Sequence, residues 1–139
     1  VTLYYRDGYH GQVAETYSIQ VPKALWPPES IETEFINLTK SGFLVIKIGY
    51  AWDFASGPTL DFRNFPGYKK TRVPSLVHDS FCQLIRQGHM SGVKNARKHA
   101  DRYFYDLLIA RKFWKFRAQY WYRGVRLGAK IDQKPKPIL

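Results

Sequence analysis

A single cysteine, Cys82, stands in the 139 residues of this chain. That excludes an internal disulfide framework and a cysteine-rich zinc site, and it fits a reducing compartment. No apolar run is long enough to span a bilayer, and none reads as the h-region of a secretory signal. Acidic residues are also scarce. Eleven Asp and Glu face twenty-two Lys and Arg, a formal net charge of +11, and the excess is concentrated from Lys94 onward. Such a field attracts an anionic partner: nucleic acid, an anionic bilayer surface or an acidic protein. A chain of this length forms one domain that buries roughly two-thirds of its unfolded surface.

What is present divides into two halves. Residues 1–50 read as β. Thr2 to Arg6 is a short Tyr-rich run closed by Asp7-Gly8, and Val13 to Val21 alternates in part. Ile31 to Leu38 and Phe43 to Tyr50 are joined by Thr39-Lys40-Ser41-Gly42, a hairpin connection. Phe43, Val45 and Lys47 fall on one face of the second strand and Leu44, Ile46 and Ile48 on the other, which predicts a central strand. Trp26-Pro27-Pro28 breaks the region between. Residues 51–73 read as a loop interrupted by Gly57, Pro58, Pro66 and Gly67, and loops of this length tend to be functional.

Residues 74–130 read as helical. Pro74 suits a first turn and Gly88 the residue after the last, with Val77, Phe81, Leu84 and Ile85 as the buried stripe. A second helix is expected from Ser91 to about Phe113, burying Ala96, Ala100, Phe104, Leu107 and Leu108. A third carries Phe116, Tyr120, Trp121, Gly124 and Leu127 on or near one face, and residues 131–139 form an extended tail. Strands followed by helices predict an α+β domain: N-terminal antiparallel hairpins forming a small sheet, then an antiparallel helix pair, then a C-terminal helix.

Helix geometry brings out candidate chemistry. His78 shares a face with Cys82 and Ile85, and Asp79 lies about 100° further round. On the next helix Asp101 aligns with Arg97, Phe104 and Leu108 at the border of the buried face. Antiparallel packing lets Asp101 reach the His78 ring while Asp79 points toward the loop that holds Asp53. Histidine is the side chain whose unperturbed pKa suits a general base, and a carboxylate on its other ring nitrogen fixes the tautomer. A Ca²⁺ ion takes oxygen ligands, which Asp79, Asp53 and carbonyls near Phe54 could supply. Cys82 and Ser56 are weaker candidates for nucleophiles.

Asp53, Ser56 and Pro58, then His78-Asp79, then Asp101, Phe104 and Tyr105 resemble the core of the prokaryotic-type phospholipases A2. The same string resembles, more closely and over most of residues 43 to 128, a phage and prophage family of unassigned function. The phospholipase likeness implies His78 as general base, Asp101 as its partner, and Asp79 with the Asp53–Phe54 loop as calcium ligands. It departs at Phe54, which stands where a glycine is usual, and in lacking disulfides. The phage likeness implies a host-cytoplasmic or virion-associated protein. Two functions follow: a Ca²⁺-dependent ester hydrolase, or a non-catalytic virion or host-interaction protein on the same scaffold.

One further stretch, Lys112 to Arg123, interleaves aromatic and basic residues. Its aromatics cover more than half of a helix circumference, so some meet the core and others meet a protein or membrane. An anionic lipid surface or a phage or host protein is the expected partner, with nucleic acid the weaker reading.

Overall fold

The computed structural model describes residues 3, 5–6, 11–52, 68–112 and 115–131. Among these, seven short strands precede three helices, which makes the chain an α+β protein. Strands β1 (Tyr5–Arg6), β2 (Gly11–Val13) and β7 (Ala51–Trp52) form one antiparallel sheet in the order β1-β2-β7. Strands β3 (Tyr17–Gln20), β4 (Ile31–Glu32), β5 (Ile36–Leu38) and β6 (Phe43–Ile46) form a second, in the order β3-β6-β5-β4. Helices α1 (Arg72–Arg86), α2 (Ala96–Ala110) and α3 (Lys115–Ile131) follow.

The hairpin expected at Thr39-Lys40-Ser41-Gly42 joins β5 to β6, with Leu38 opposite Leu44. Gly42 donates to the Thr39 carbonyl at 2.9 Å and has φ of 89°, a conformation that glycine adopts without steric cost. A Cβ there would also collide with the Trp26 ring, whose Nε1 donates to the Val21 carbonyl at 2.9 Å. The Trp26-Pro27-Pro28 break is thus clamped over the hairpin. As expected, β6 lies inside its sheet, between β3 and β5. Leu44 and Ile46 are fully buried, and Phe43 on the opposite face is exposed.

Three expectations for the β half need correction. Residues 31–38 are not one strand: β4 and β5 fold back on each other, Ile31 opposite Leu38. Thr33 makes the reversal, its Oγ1 accepting from Ile36 N at 2.9 Å and donating to the Ile36 carbonyl at 2.7 Å. Hydroxyl-bearing turn residues do this by imitating a backbone partner. Residues 13–21 are likewise divided between two sheets. The run from Phe43 ends at Ile46, and Gly49, with φ of 94°, redirects the chain so that Ile48 is exposed while Tyr50 and Trp52 are buried. The expected loop over 51–73 begins with β7 and ends in a short 3₁₀ turn (Tyr68–Thr71) and the first residues of α1; residues 53–67 lie outside those described.

Helix α1 closes as Gly88 suggests. His89 N bonds the Leu84 carbonyl at 2.9 Å and Gly88 N that of Ile85 at 3.0 Å, the paired arrangement that satisfies orphan carbonyls at a helix end. Val77, Phe81 and Leu84 are buried along it, with Leu76 and Ser80 beside them. Helix α2 starts at Ala96 and not at Ser91. The segment between helices is a run of turns anchored by buried Met90 and Val93, and Asn95, with φ of 54°, must reverse hand before the helix can begin. At its far end Ala110 is the last helical residue and Lys112 has φ of 59°.

Helix α3 packs on α2 through Ala118 and Trp121, which meet Phe104 and Leu108. Phe116, Tyr120 and Leu127, expected on the same face as Trp121, are exposed instead. Ala118, fully buried, takes the contact beside Trp121 in their place.

Phe81 is among the largest fully buried side chains of the core, whereas Phe43 is exposed. Phe81→Ala is expected to lower unfolding stability by about 3–5 kcal/mol, and Phe43→Ala, on the exposed face of β6, by no more than about 0.5 kcal/mol. Urea denaturation of the two variants checks this, and comparable losses from both would contradict the assigned faces.

Candidate functional site

Asp101 is the centre of the site. It lies on α2 with no solvent exposure, so its carboxylate has lost hydration and needs partners from the protein. Each of the three helices supplies one. His78 of α1 approaches with Nε2 at 2.6 Å from Oδ1. Arg97, one turn earlier on α2, donates Nε–H to the same oxygen at 2.9 Å. Arg126 of α3 donates from Nη1 to Oδ2 at 2.8 Å. A second Arg97 nitrogen, Nη2, donates to the Val125 carbonyl at 3.0 Å and further fixes α3 against α2.

Burial by itself would raise the Asp101 pKa, but His78 and then Arg97 outweigh it and hold the carboxyl below its ordinary range. An ionised carboxylate only accepts, so the proton in the 2.6 Å contact belongs to His78 Nε2. In the neutral ring the free lone pair is then on Nδ1. Burial works against charge on this imidazole, yet Cys82 and Asp101 together push its pKa up to about 9. The Phe104 ring packs against it with centroids 5.1 Å apart, and the side chain is 12% exposed.

Cys82 stands one turn along α1 from His78, as its spacing requires. Its Sγ lies 3.8 Å from both Nδ1 and Nε2. Equal distances to the two nitrogens place the sulfur off the lone-pair axis of either, which is not how a thiol is aligned for deprotonation by its base.

Asp79 faces elsewhere. Tyr50, between β6 and β7, donates its hydroxyl to Asp79 Oδ2. Burial, and after it the neighbouring Asp79 charge, raise the Tyr50 pKa, so the phenol keeps its proton and remains a donor. Two residues on, Trp52 donates its indole N–H to Ser75 Oγ at 3.2 Å, and Ser75 Oγ donates to the Arg72 carbonyl at 2.9 Å. The chain therefore passes Asp79 at Tyr50 and reaches α1 again about one helical turn lower, at Ser75. It arrives there immediately before Asp53.

The structure thus brings together His78, Asp101 and Phe104 and sets Asp79 on the adjoining side of α1. Asp53, Phe54, Ser56 and Pro58 lie outside the described residues. Among the described residues no group of three or more His, Cys, Asp or Glu is placed to hold a metal. Asp79 is a hard oxygen donor oriented by a hydroxyl, which suits one ligand of a Ca²⁺ site. Tyr105 turns away to stack edge-on with Tyr122. Two partners escape a reading of the sequence. Arg126 is 25 residues from Asp101 and nothing local announces it. Tyr50 carries no motif either, whereas the spacing of Arg97 and Asp101 is a recognisable helical ion pair.

Two outcomes are expected. Asp101→Asn removes the negative charge and turns one of the two accepting oxygens into an N–H₂ group that faces a donor. It costs about 3 kcal/mol, the low end for breaking a buried pair because both guanidiniums keep some access to water. Denaturant titration measures it, and a loss under about 1 kcal/mol contradicts the role given to this carboxylate. The second concerns pH. The folded-state pKa of His78, about 9, exceeds the ordinary value of 6.5, so the folded chain binds the extra proton in that window. Its stabilisation is complete below 6.5 and is lost as pH rises through about 9. The melting-temperature advantage of the wild type over His78→Gln should shrink across that interval, and an advantage constant with pH contradicts the pairing.

Comparison with known proteins agrees with the expectation of a family of unassigned function over most of residues 43 to 128. No curated protein and no solved structure matches the chain. A family described as a protein of unknown function, DUF1353, matches residues 30–125, from the start of β4 into α3, and so takes in Tyr50, His78, Asp79, Arg97 and Asp101. With well over half of its length inside that match, the chain belongs to the DUF1353 family.

Proposed function

We propose that the chain is a phage-encoded, phospholipase A2-like ester hydrolase in which His78 activates water and Asp101 orients it. One observation carries the reading: a partly exposed imidazole whose Nε2 is held at 2.6 Å by a fully buried carboxylate. That contact commits Nε2 to hydrogen and leaves Nδ1 as the basic atom. In the reaction Nδ1 takes a proton from water as the oxygen adds to the ester carbonyl carbon. The same proton then passes to the departing alkoxide as the carbon–oxygen bond breaks. Asp101 stabilises the imidazolium in between, and Phe104 limits ring rotation. Asp79 and the segment at Asp53–Phe54 would hold Ca²⁺, which when bound polarises the ester carbonyl and offsets the developing oxyanion charge. The basic surface would hold the protein on anionic lipid, inside the infected cell or on the virion.

Purified protein should release fatty acid from phospholipid vesicles in the presence of Ca²⁺. Release should stop with chelator and with His78→Asn. The rate should rise with pH toward about 9, because Asp101 and Cys82 retain the ring proton up to that point. Ca²⁺ should also raise the melting temperature, and Asp79→Asn should abolish that rise. A folded protein that releases nothing from several lipids with Ca²⁺ present sinks the proposal.

The two guanidiniums on Asp101 favour a second reading. A carboxylate already shared by Arg97 and Arg126 is a strut between helices whether or not it serves a base. The protein would then be a non-catalytic virion or host-interaction component. In that case His78→Asn lowers the melting temperature and there is no activity to lose.

A further inference from the structure

Helix α3 presents a face that its packing on α2 does not use. Ala118 and Trp121 point to Phe104 and Leu108. Turned by roughly half a circle at 100° per residue, Phe116, Tyr120, Arg123 and Leu127 align along the helix. Phe116 is 86% exposed and Leu127 is 56% exposed, on the same line. Single exposed apolar residues need no explanation, but a line of them along one helix does. The helix also carries Lys115, Arg117, Arg123, Arg126 and Lys130 and not one Asp or Glu. Arg123 is exposed within that line, and Lys115 is exposed about 100° to one side of Phe116.

Charge and shape together select the occupant. A second copy would set two such helices, both acid-free and basic, against each other. Nucleic acid would satisfy the cations and could stack on Phe116, but it offers Leu127 no apolar medium. The line from residue 116 to 127 extends about 16 Å along a convex helix, the form of a segment lying in the plane of a membrane surface. We propose that this face of α3 docks on an anionic bilayer. Phe116 and Leu127 enter the headgroup–acyl boundary, and Lys115 and Arg123 meet lipid phosphates. The proposal deepens the hydrolase reading, for which it supplies the surface that presents the ester, but lipid binding itself does not require catalysis.

The test is co-sedimentation of the full chain with vesicles of phosphatidylcholine alone or mixed 3:1 with phosphatidylglycerol, at about 0.15 M salt. Binding to the mixed vesicles is expected, weaker by about tenfold or more on phosphatidylcholine alone and in the double variant Phe116→Ser, Leu127→Ser. Both residues are exposed, so the double variant should melt with the wild type, and Phe43→Ser, exposed on the β6 surface, should bind as the wild type does. No binding to mixed vesicles, or binding that survives the double substitution, overturns the proposal. So does a dimer, or a DNA complex, that the same double substitution dissolves. Vesicle binding without fatty-acid release defeats the hydrolase and leaves the docking face intact. Hydrolysis of a soluble short-chain ester without vesicle binding does the reverse.

Discussion

The buried carboxylate of Asp101 is the constraint on which the helical half depends. An ionised group with no solvent contact is tolerated only when charges or donors surround it, and here they arrive from α1, α2 and α3 together. Its consequence is positional. His78 fixes α1 against α2, Arg126 fixes α3 against both, and Arg97 joins the carboxylate to the backbone of α3. The apolar contact between Phe104, Leu108, Ala118 and Trp121 supplies area, but area alone does not choose a register. The ionic contact does, because its geometry fails when any helix slides by one turn.

A structural hub and a catalytic base are not alternatives in principle, since the same hydrogen bond can serve both. What separates them is the fate of the His78 proton. The two guanidiniums reduce how much negative charge Asp101 offers to an imidazolium, whereas burial from water strengthens what remains. Cys82 adds to the balance by lying equally near both ring nitrogens without being aligned to either. On the other side of α1, Tyr50 and Asp79 form a separate hydrogen-bonded pair, so carboxylates near His78 have distinct partners and distinct surroundings.

The sequence made some of this legible and hid the rest for physical reasons. The α+β class, the β5–β6 hairpin, the central β6 and the His78–Asp101 pair could be read because each depends on short-range periodicity or turn chemistry. Gly42 and Gly88 marked ends correctly since both need positive φ. The fold-back at Thr33 was hidden, because residues 31–38 contain no Gly or Pro to mark a turn and the reversal rests on one hydroxyl. The late start of α2 was hidden for a similar reason: Ser91 is a good cap by residue type, but buried Met90 and Val93 hold the preceding chain in turns. Arg126 and Tyr50 reach the site through tertiary packing, of which one sequence carries no local trace.

The central claim is that Asp101, held ionised by its three donors, sets the tautomer and charge of His78. Nitrogen-15 NMR of the histidine rings across a pH titration tests it most directly, with His78 assigned through His78→Gln. His78 should lose its proton near pH 9, and the neutral ring should carry its hydrogen on Nε2. A ring that titrates at or below the ordinary 6.5, or one that carries its hydrogen on Nδ1, would contradict it.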